Sequence, residues 1–252
     1  MSVLLPLGIV LLGLAVGSFL NVVIDRLPAD QSLISPPSHC PSCQRRLGPG
    51  EMIPGLSYLV LGGRCRTCGE HIPLRVWLVE IGTGVFYLLV WLRYGPTWTT
   101  GLYCLYGSLL ITIGLIDLQH HKILNTLSYP ALAVAALSIP LLPQSTLGGG
   151  LLGGAVGFGF LLLLAVISPG AMGFGDVKLV LSIGLITGFP EIILVLFLAF
   201  VSGGLVAGFL LLIGQVTRKD PIAFGPYLVL AGMTTLLYGE PILNWWMRRF
   251  GG

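Results

Sequence analysis

A succession of long apolar runs restricts this chain more than any other feature. A helix needs about 20 apolar residues to cross roughly 30 Å of hydrocarbon. Such runs stand at Val3–Ile24, Trp77–Leu92, Thr100–Ile116, Leu127–Leu142, Gly148–Ile167, Val177–Gly188, Ile192–Ile213 and Phe224–Leu237. They are too long for the strands of a spanning barrel, and they do not alternate. Only 9% of the 252 residues are charged, where a soluble domain carries about a quarter, and mean hydropathy is +0.93. That excludes a disordered chain and a disulfide-stapled secreted domain, and it disfavours a soluble enzyme. The expected fold is all-α: a polytopic transmembrane helix bundle of about eight spans, or seven or nine given the short sixth run, with one hydrophilic loop.

Basic residues orient such a bundle, because they concentrate in cytoplasmic loops. With eight spans and the amino terminus outside, the inside loops hold Arg26, Arg45, Arg46, Arg64, Arg66, Arg75, Lys122, Lys178, Arg218 and Lys219. Arg93, Arg248 and Arg249 remain outside, the last two in a tail with Trp245 and Trp246 that suits an interface or a miscounted last span. The first run has no basic residue before it and exceeds a typical signal-peptide core, so it reads as a signal-anchor helix. No internal repeat is evident.

The hydrophilic loop, Asp25 to Arg75, contains Cys40-Pro-Ser-Cys43 and Cys65-Arg-Thr-Cys68, separated by 21 residues. Two residues between cysteines form a tight turn with both sulfurs on one side. Two such pairs complete a tetrahedral S₄ site, which suits structural zinc. Metal binding can then fold a loop with too little core of its own. Two disulfides are the alternative, disfavoured on the reducing side of the membrane. His39 and His71 adjoin the pairs as possible substitute ligands, and Cys104, inside the third run, reads as a packing residue.

Three of the ten acids fall within or at the ends of apolar runs: Glu80, Asp117 and Asp176. Ionisable groups in such places are functional candidates, since burying their charge is expensive. Asp117 and Asp176 both fall at the cytoplasmic ends of their runs and can face each other at one depth. Facing carboxylates share a proton, so one can take a proton from water while the other donates to a carbonyl oxygen. The competing reading is two solvated helix-end acids. Asp176 sits in Gly173-Phe174-Gly175-Asp176-Val177-Lys178, where Gly173 and Gly175 allow close backbone approach and Lys178 can sit near the acid. This Gly-x-Gly is not a nucleotide loop, having no preceding strand and no third glycine, and no nucleic-acid partner is expected.

Taken together, the segments Gly17–Pro28, Cys40–Cys43, Ile53-Pro54, Ser57-Tyr58, Gly63–Cys68, Glu80, Ile116-Asp117, Gly173–Leu179 and Phe224–Pro226 resemble the type IV prepilin peptidases, an intramembrane aspartic protease family. The resemblance implies a bacterial inner-membrane enzyme with two activities. One cuts the basic leader of prepilins and pseudopilins after a glycine at the cytoplasmic face. The other methylates the new amino terminus with S-adenosylmethionine. It implies Asp117 and Asp176 as the protease dyad, residues 1–98 as the methyltransferase part, and residues 99–252 as the peptidase bundle. Its partners would be prepilin and pseudopilin substrates in the lipid bilayer. Two positions depart from the family pattern: Ile123-Leu124-Asn125 replaces an Ile-Pro-Asp-like turn, and Asp25 replaces an aromatic residue or histidine.

Glu80 is expected either to brace the loop by pairing with Arg64 or Arg75, or to contact the methyl donor. His120 and His121 can tune Asp117 or simply be solvated. The competing functions are a leader peptidase without methyltransferase activity, an ion-coupled transporter, and a non-catalytic zinc-bearing scaffold. A transporter predicts polar residues spread through mid-bilayer depth and repeat symmetry, which this sequence does not show.

Overall fold

Each of the eight apolar runs falls on one helix of the chain. A computed structural model describes residues 4–142, 146–168, 172–217 and 220–250, with Phe250 described by its backbone only. Val3, from which the first run is counted, and Arg218 and Lys219 lie outside the described residues. Among those described there is no strand, and the α-helices are α1 Leu4–Arg26, α2 Leu56–Val60, α3 Leu74–Tyr94, α4 Trp98–His120, α5 Asn125–Ser138, α6 Leu147–Ile167, α7 Phe174–Thr187, α8 Glu191–Leu212 and α9 Gly225–Phe250. The all-α expectation is met. By length and composition five are able to cross a membrane: α1 with its following 3₁₀ turn, α3, α4, α6 and α8. The other three runs are helical but differ. α5 and α7 have 14 residues each, and α9 runs on through Pro241 into the Trp245-Trp246 tail.

The chain divides into two compact units, Met1–Cys104 and Leu105–Gly252, with the boundary inside α4. In the first unit α1 and α3 pack antiparallel in steps of four residues. A methyl group added at Gly13 would lie 2.8 Å from the Gly84 Cα, and one at Gly17 would lie 2.8 Å from the Glu80 Cα. Small residues four apart let helix backbones approach where lipid removes the hydrophobic drive between them. One step further on, Asn21 Nδ2 donates to the Val76 carbonyl at 3.0 Å. At the end of the pair Arg75 Nη2 meets Asp25 Oδ1 at 2.7 Å, a polar closure beside the connecting loop.

The second unit is built around α7, which packs against α5, α6, α8 and α9. That position explains its short length and near-complete burial. The close approach to α6 is again made by glycines: a methyl group at Gly153 would lie 2.5 Å from the Gly184 carbonyl oxygen. From α4, the Tyr106 hydroxyl meets the Ser182 hydroxyl of α7 at 3.0 Å in the buried interior. Phe224, just before α9, stacks 5.0 Å from Phe200 of α8. α7 is therefore held from several sides.

Candidate active site and cysteine cluster

Asp117 lies in the last turn of α4. Its carbonyl accepts from the His121 N–H at 2.8 Å, and His121 then takes φ +51, which turns the chain away toward α5. Asp176 lies in the first turn of α7, where its Oδ2 accepts from the Gly173 N–H at 3.3 Å, a carboxylate at the positive end of a helix. Both side chains are buried, at 6% and 9% exposure, and their carboxylates lie within electrostatic range of one another. Two acids 59 positions apart are therefore both buried in one unit, near enough for each to feel the other's charge. His121 also lies within electrostatic range of Asp117.

The support around the pair is specific. Asp117 Oδ2 accepts from the backbone N–H of Gly225 at 3.0 Å, and a methyl group on that glycine would stand 2.6 Å from the same oxygen. Sequence reasoning did not assign this donor; the Phe224-Gly225-Pro226 turn was the available signal. Ile123 covers Gly175 so closely that a methyl group there would lie 2.7 Å from the Ile123 Cβ. Asp176 Oδ1 is buried with no hydrogen-bond partner. A buried carboxylate oxygen in that state is costly unless a water or substrate meets it.

Lys178 does not point to the acids. Its Nζ donates to Asn125 Oδ1 at 2.8 Å and lies 5.0 Å from the Tyr129 ring centre, tying the first turn of α7 to the first turn of α5. Asn125 is one of the residues that departs from the family pattern, and its carbonyl oxygen still serves as the acceptor.

In the first unit the four cysteines converge: the sulfurs of Cys40, Cys43, Cys65 and Cys68 all lie within 4.8 Å of one another. The two segments fold alike. Isolated β-bridges join His39 to Arg46 and Arg64 to His71, closing each Cys-x-x-Cys turn. Gln44 and Gly69, each following a second cysteine, take φ +58 and +73. This local duplication was not evident in the sequence, because backbone conformation carries it and few residues match.

The Cys40 and Cys68 sulfurs are 3.7 Å apart, against about 3.8 Å expected for two thiolates bound tetrahedrally at about 2.3 Å. The N–H groups of Cys68 and Thr67 hold the Cys65 thiol down to about 6. At Cys68 the Glu70 N–H acts in the same direction, but desolvation and the neighbouring Cys65, Cys40 and Cys43 sulfurs prevail and push that thiol up to about 12. One thiolate forms easily and further ones repel it, which is the charge a divalent cation neutralises. The donor set fits a metal ion. His39 Nδ1 bonds the Pro37 carbonyl at 3.0 Å and is not part of the cluster.

Glu80 is buried, and its Oε2 accepts from the Gly55 N–H at 2.6 Å. The expected pairing with Arg75 is not made, because Arg75 pairs with Asp25. Cys104 is buried, as a packing residue should be.

The comparisons with known proteins follow the same division. Residues 11–94 match the bacterial peptidase A24 N-terminal domain, and residues 104–208 match the type IV leader peptidase family. A prepilin leader peptidase/N-methyltransferase of Bacillus subtilis (strain 168) is 33% identical over 239 residues, spanning 94% of this chain and 95% of its own. Proteins of the same name from Pseudomonas aeruginosa and Myxococcus xanthus are 32% and 36% identical, covering 96% and 94% of this chain and 93% and 73% of theirs. No solved structure matches the chain. With both family models in order along the sequence and relatives at about a third identity over more than nine-tenths of it, the chain belongs to the type IV leader peptidase family and is an enzyme.

Proposed function

We propose that this chain removes the leader of type IV prepilins and pseudopilins after a glycine, at the cytoplasmic face of the bacterial inner membrane. It then N-methylates the new terminus. The observation that carries the proteolytic part is the buried pair Asp117 and Asp176, with Asp176 Oδ1 lacking any protein partner. One carboxyl takes a proton from the attacking water while the other donates to the scissile carbonyl oxygen. The Gly225 N–H fixes one oxygen of Asp117, and the Gly173 N–H fixes one of Asp176. Geometry is thereby set before substrate arrives. Gly173 leaves room for substrate backbone, Gly175 lets Ile123 pack against the start of α7, and Lys178 braces α7 against α5 from the side.

The charge pattern supports an orientation with the amino terminus outside and the cysteine loop and both aspartates on the cytoplasmic side. A prepilin places its basic leader there, followed by an apolar helix in the bilayer. Its scissile bond has to unwind before attack, because helical backbone groups are satisfied internally.

Zinc is the metal we assign to Cys40, Cys43, Cys65 and Cys68, in a structural role, since four thiolates close the coordination shell. The amino-terminal part, residues 1–98, is the candidate for methyl transfer, and residues 99–252 for proteolysis. S-adenosylmethionine supplies an electrophilic methyl group to the free amine.

The test uses purified enzyme, a prepilin with its leader, and product masses read with and without S-adenosylmethionine. Wild type should give the shortened pilin, carrying a methyl increment only when the donor is present. Asp117→Asn and Asp176→Asn should give neither product. Cleavage surviving both substitutions would return the two acids to ordinary helix-end residues. Cleavage without methylation by wild type would leave a peptidase alone.

A further inference from the structure

Among the described residues, Glu80 is the one acid buried in a spanning helix that the proposed chemistry does not use, and what it holds is informative. Its Oε2 accepts from the Gly55 N–H at 2.6 Å, and the Trp77 indole Nε1 donates to the Gly55 carbonyl at 3.0 Å. Two side chains of α3 thus satisfy both polar groups of a single residue, and that residue has φ +73 and is outside any helix. In the aqueous loop that the sequence suggests, water would serve Gly55 equally well. A buried acid is an expensive way to satisfy a peptide N–H unless water is excluded there.

The level of Gly55 explains the arrangement. α3 has 21 residues and is about 30 Å long, matching the hydrocarbon thickness, so its first turn stands at the boundary. The Arg75–Asp25 pair marks that polar level. Gly55 meets α3 at Glu80 and Ile81, about 8 Å further in, and a methyl group on it would lie 3.7 Å from Leu14 of α1, further still from the Asp25 level. Around Gly55, Met52, Ile53, Leu56, Leu59 and Val60 are all exposed, at 45%, 48%, 56%, 61% and 75%. These positions recur at helical spacing on α2 and the turn before it. Arg46, Arg64 and Arg66 lie in the flanking cysteine-bearing segments.

We infer that the Met52–Val60 segment is a monotopic insertion into the bilayer, on the leaflet where the α1–α3 loop emerges. Its apolar side chains lie among the acyl chains; in its non-helical part, the Ile53 and Pro54 carbonyls accept from the Ser57 and Leu56 N–H groups, and the Gly55 peptide is clamped by Glu80 and Trp77. Non-helical backbone is tolerated at membrane depth only where protein satisfies it, and the clamp does so. The flanking arginines stand at headgroup height, where lipid phosphates meet them. The cysteine cluster is thereby held at the membrane surface rather than free in solution. This inference concerns the first unit only and does not depend on the assignment of the dyad.

The test is a depth measurement on full-length protein in nanodiscs of phosphatidylethanolamine and phosphatidylglycerol. A nitroxide is attached through a genetically encoded keto amino acid at Leu59 or Val60, which leaves the cysteines untouched. Reference labels go at Leu11, exposed on the spanning α1, and at Ile34, 91% exposed in the loop. Collision with oxygen should exceed collision with a water-soluble nickel chelate at positions 59 and 60, as at Leu11, by at least severalfold relative to Ile34. Nickel collision equal to that at Ile34 would overturn the insertion. Low collision with both reagents would also overturn it, showing that protein covers the face. In the Val60-labelled chain, Glu80→Gln keeps a side-chain carbonyl acceptor and should preserve the depth, whereas Glu80→Ala should move the label toward the nickel reagent. An unchanged depth in Glu80→Ala would refute the clamp.

Discussion

Replacing Gly225 with alanine tests the active-site geometry without touching either acid. The added methyl carbon would stand 2.6 Å from Asp117 Oδ2, 3.1 Å from its Cγ and 3.3 Å from its Cβ. To regain a contact near 3.4 Å, the oxygen has to withdraw by about 0.8 Å. The 3.0 Å hydrogen bond from the Gly225 N–H lengthens or breaks as it does so. A misplacement of about 1 Å in a catalytic group can cost about 10²-fold in rate, or about 2.7 kcal/mol of transition-state stabilisation. Helix propensity works in the opposite direction, since alanine is favoured over glycine within a helix by about 0.5–1 kcal/mol. Gly225→Ala should therefore lose about 10²-fold in kcat/KM for leader cleavage while melting within a few degrees of wild type. Gly232→Ala is the control, because its methyl group would press on Ile183 at 3.2 Å, away from the acids. Cleavage by Gly225→Ala at the wild-type rate would refute the claim that this amide positions Asp117. Equal losses in both variants would point to general packing instead.

Gly175→Ala should lower cleavage by driving the start of α7 away from Ile123, and Ile123→Gly in the same chain, which removes the Cβ that the new methyl group would meet at 2.7 Å, should restore part of it; an absence of rescue in steady-state kinetics would contradict the contact. The Arg45 guanidinium, helped by the Gly48 N–H, holds the Glu51 carboxylate below its ordinary value near 4.5. The stability this adds is complete above that value and lost as pH falls below it, so the difference in melting temperature between wild type and Glu51→Gln should be constant at neutral pH and shrink below about pH 4. Chelation of the cysteine cluster should expose its four thiols to a colorimetric reagent and impair methyl transfer before proteolysis; simultaneous loss of both activities would instead show that one scaffold depends on the metal.

The helices were legible because lipid imposes a length and composition on them that a sequence window detects. The four cysteines were legible because two-residue spacing settles the local turn. What could not be read depended on backbone partners distant in sequence. Glu80 looked like a partner for an arginine, yet it serves a peptide N–H 25 residues earlier. Nothing in the residue type at Gly55 announces that its amide needs an acceptor. Lys178 looked close to Asp176 in sequence, but the first turn of a helix spreads its side chains around the axis, and this one reaches α5. The apolar positions of α2 were hidden inside a hydrophilic average. The last helix extends beyond its apolar half because Pro241 does not end it.

The most direct test of the account is a double-mutant cycle on leader cleavage with Asp117→Asn, Asp176→Asn and the double variant, each measured as purified protein on one prepilin. Residues that act as a unit are non-additive: removing either should cost nearly as much as removing both. The prediction is a loss of about 10³-fold or more in each single variant, with little further loss in the double. Additive losses, or substantial cleavage retained by either single variant, would contradict a shared dyad.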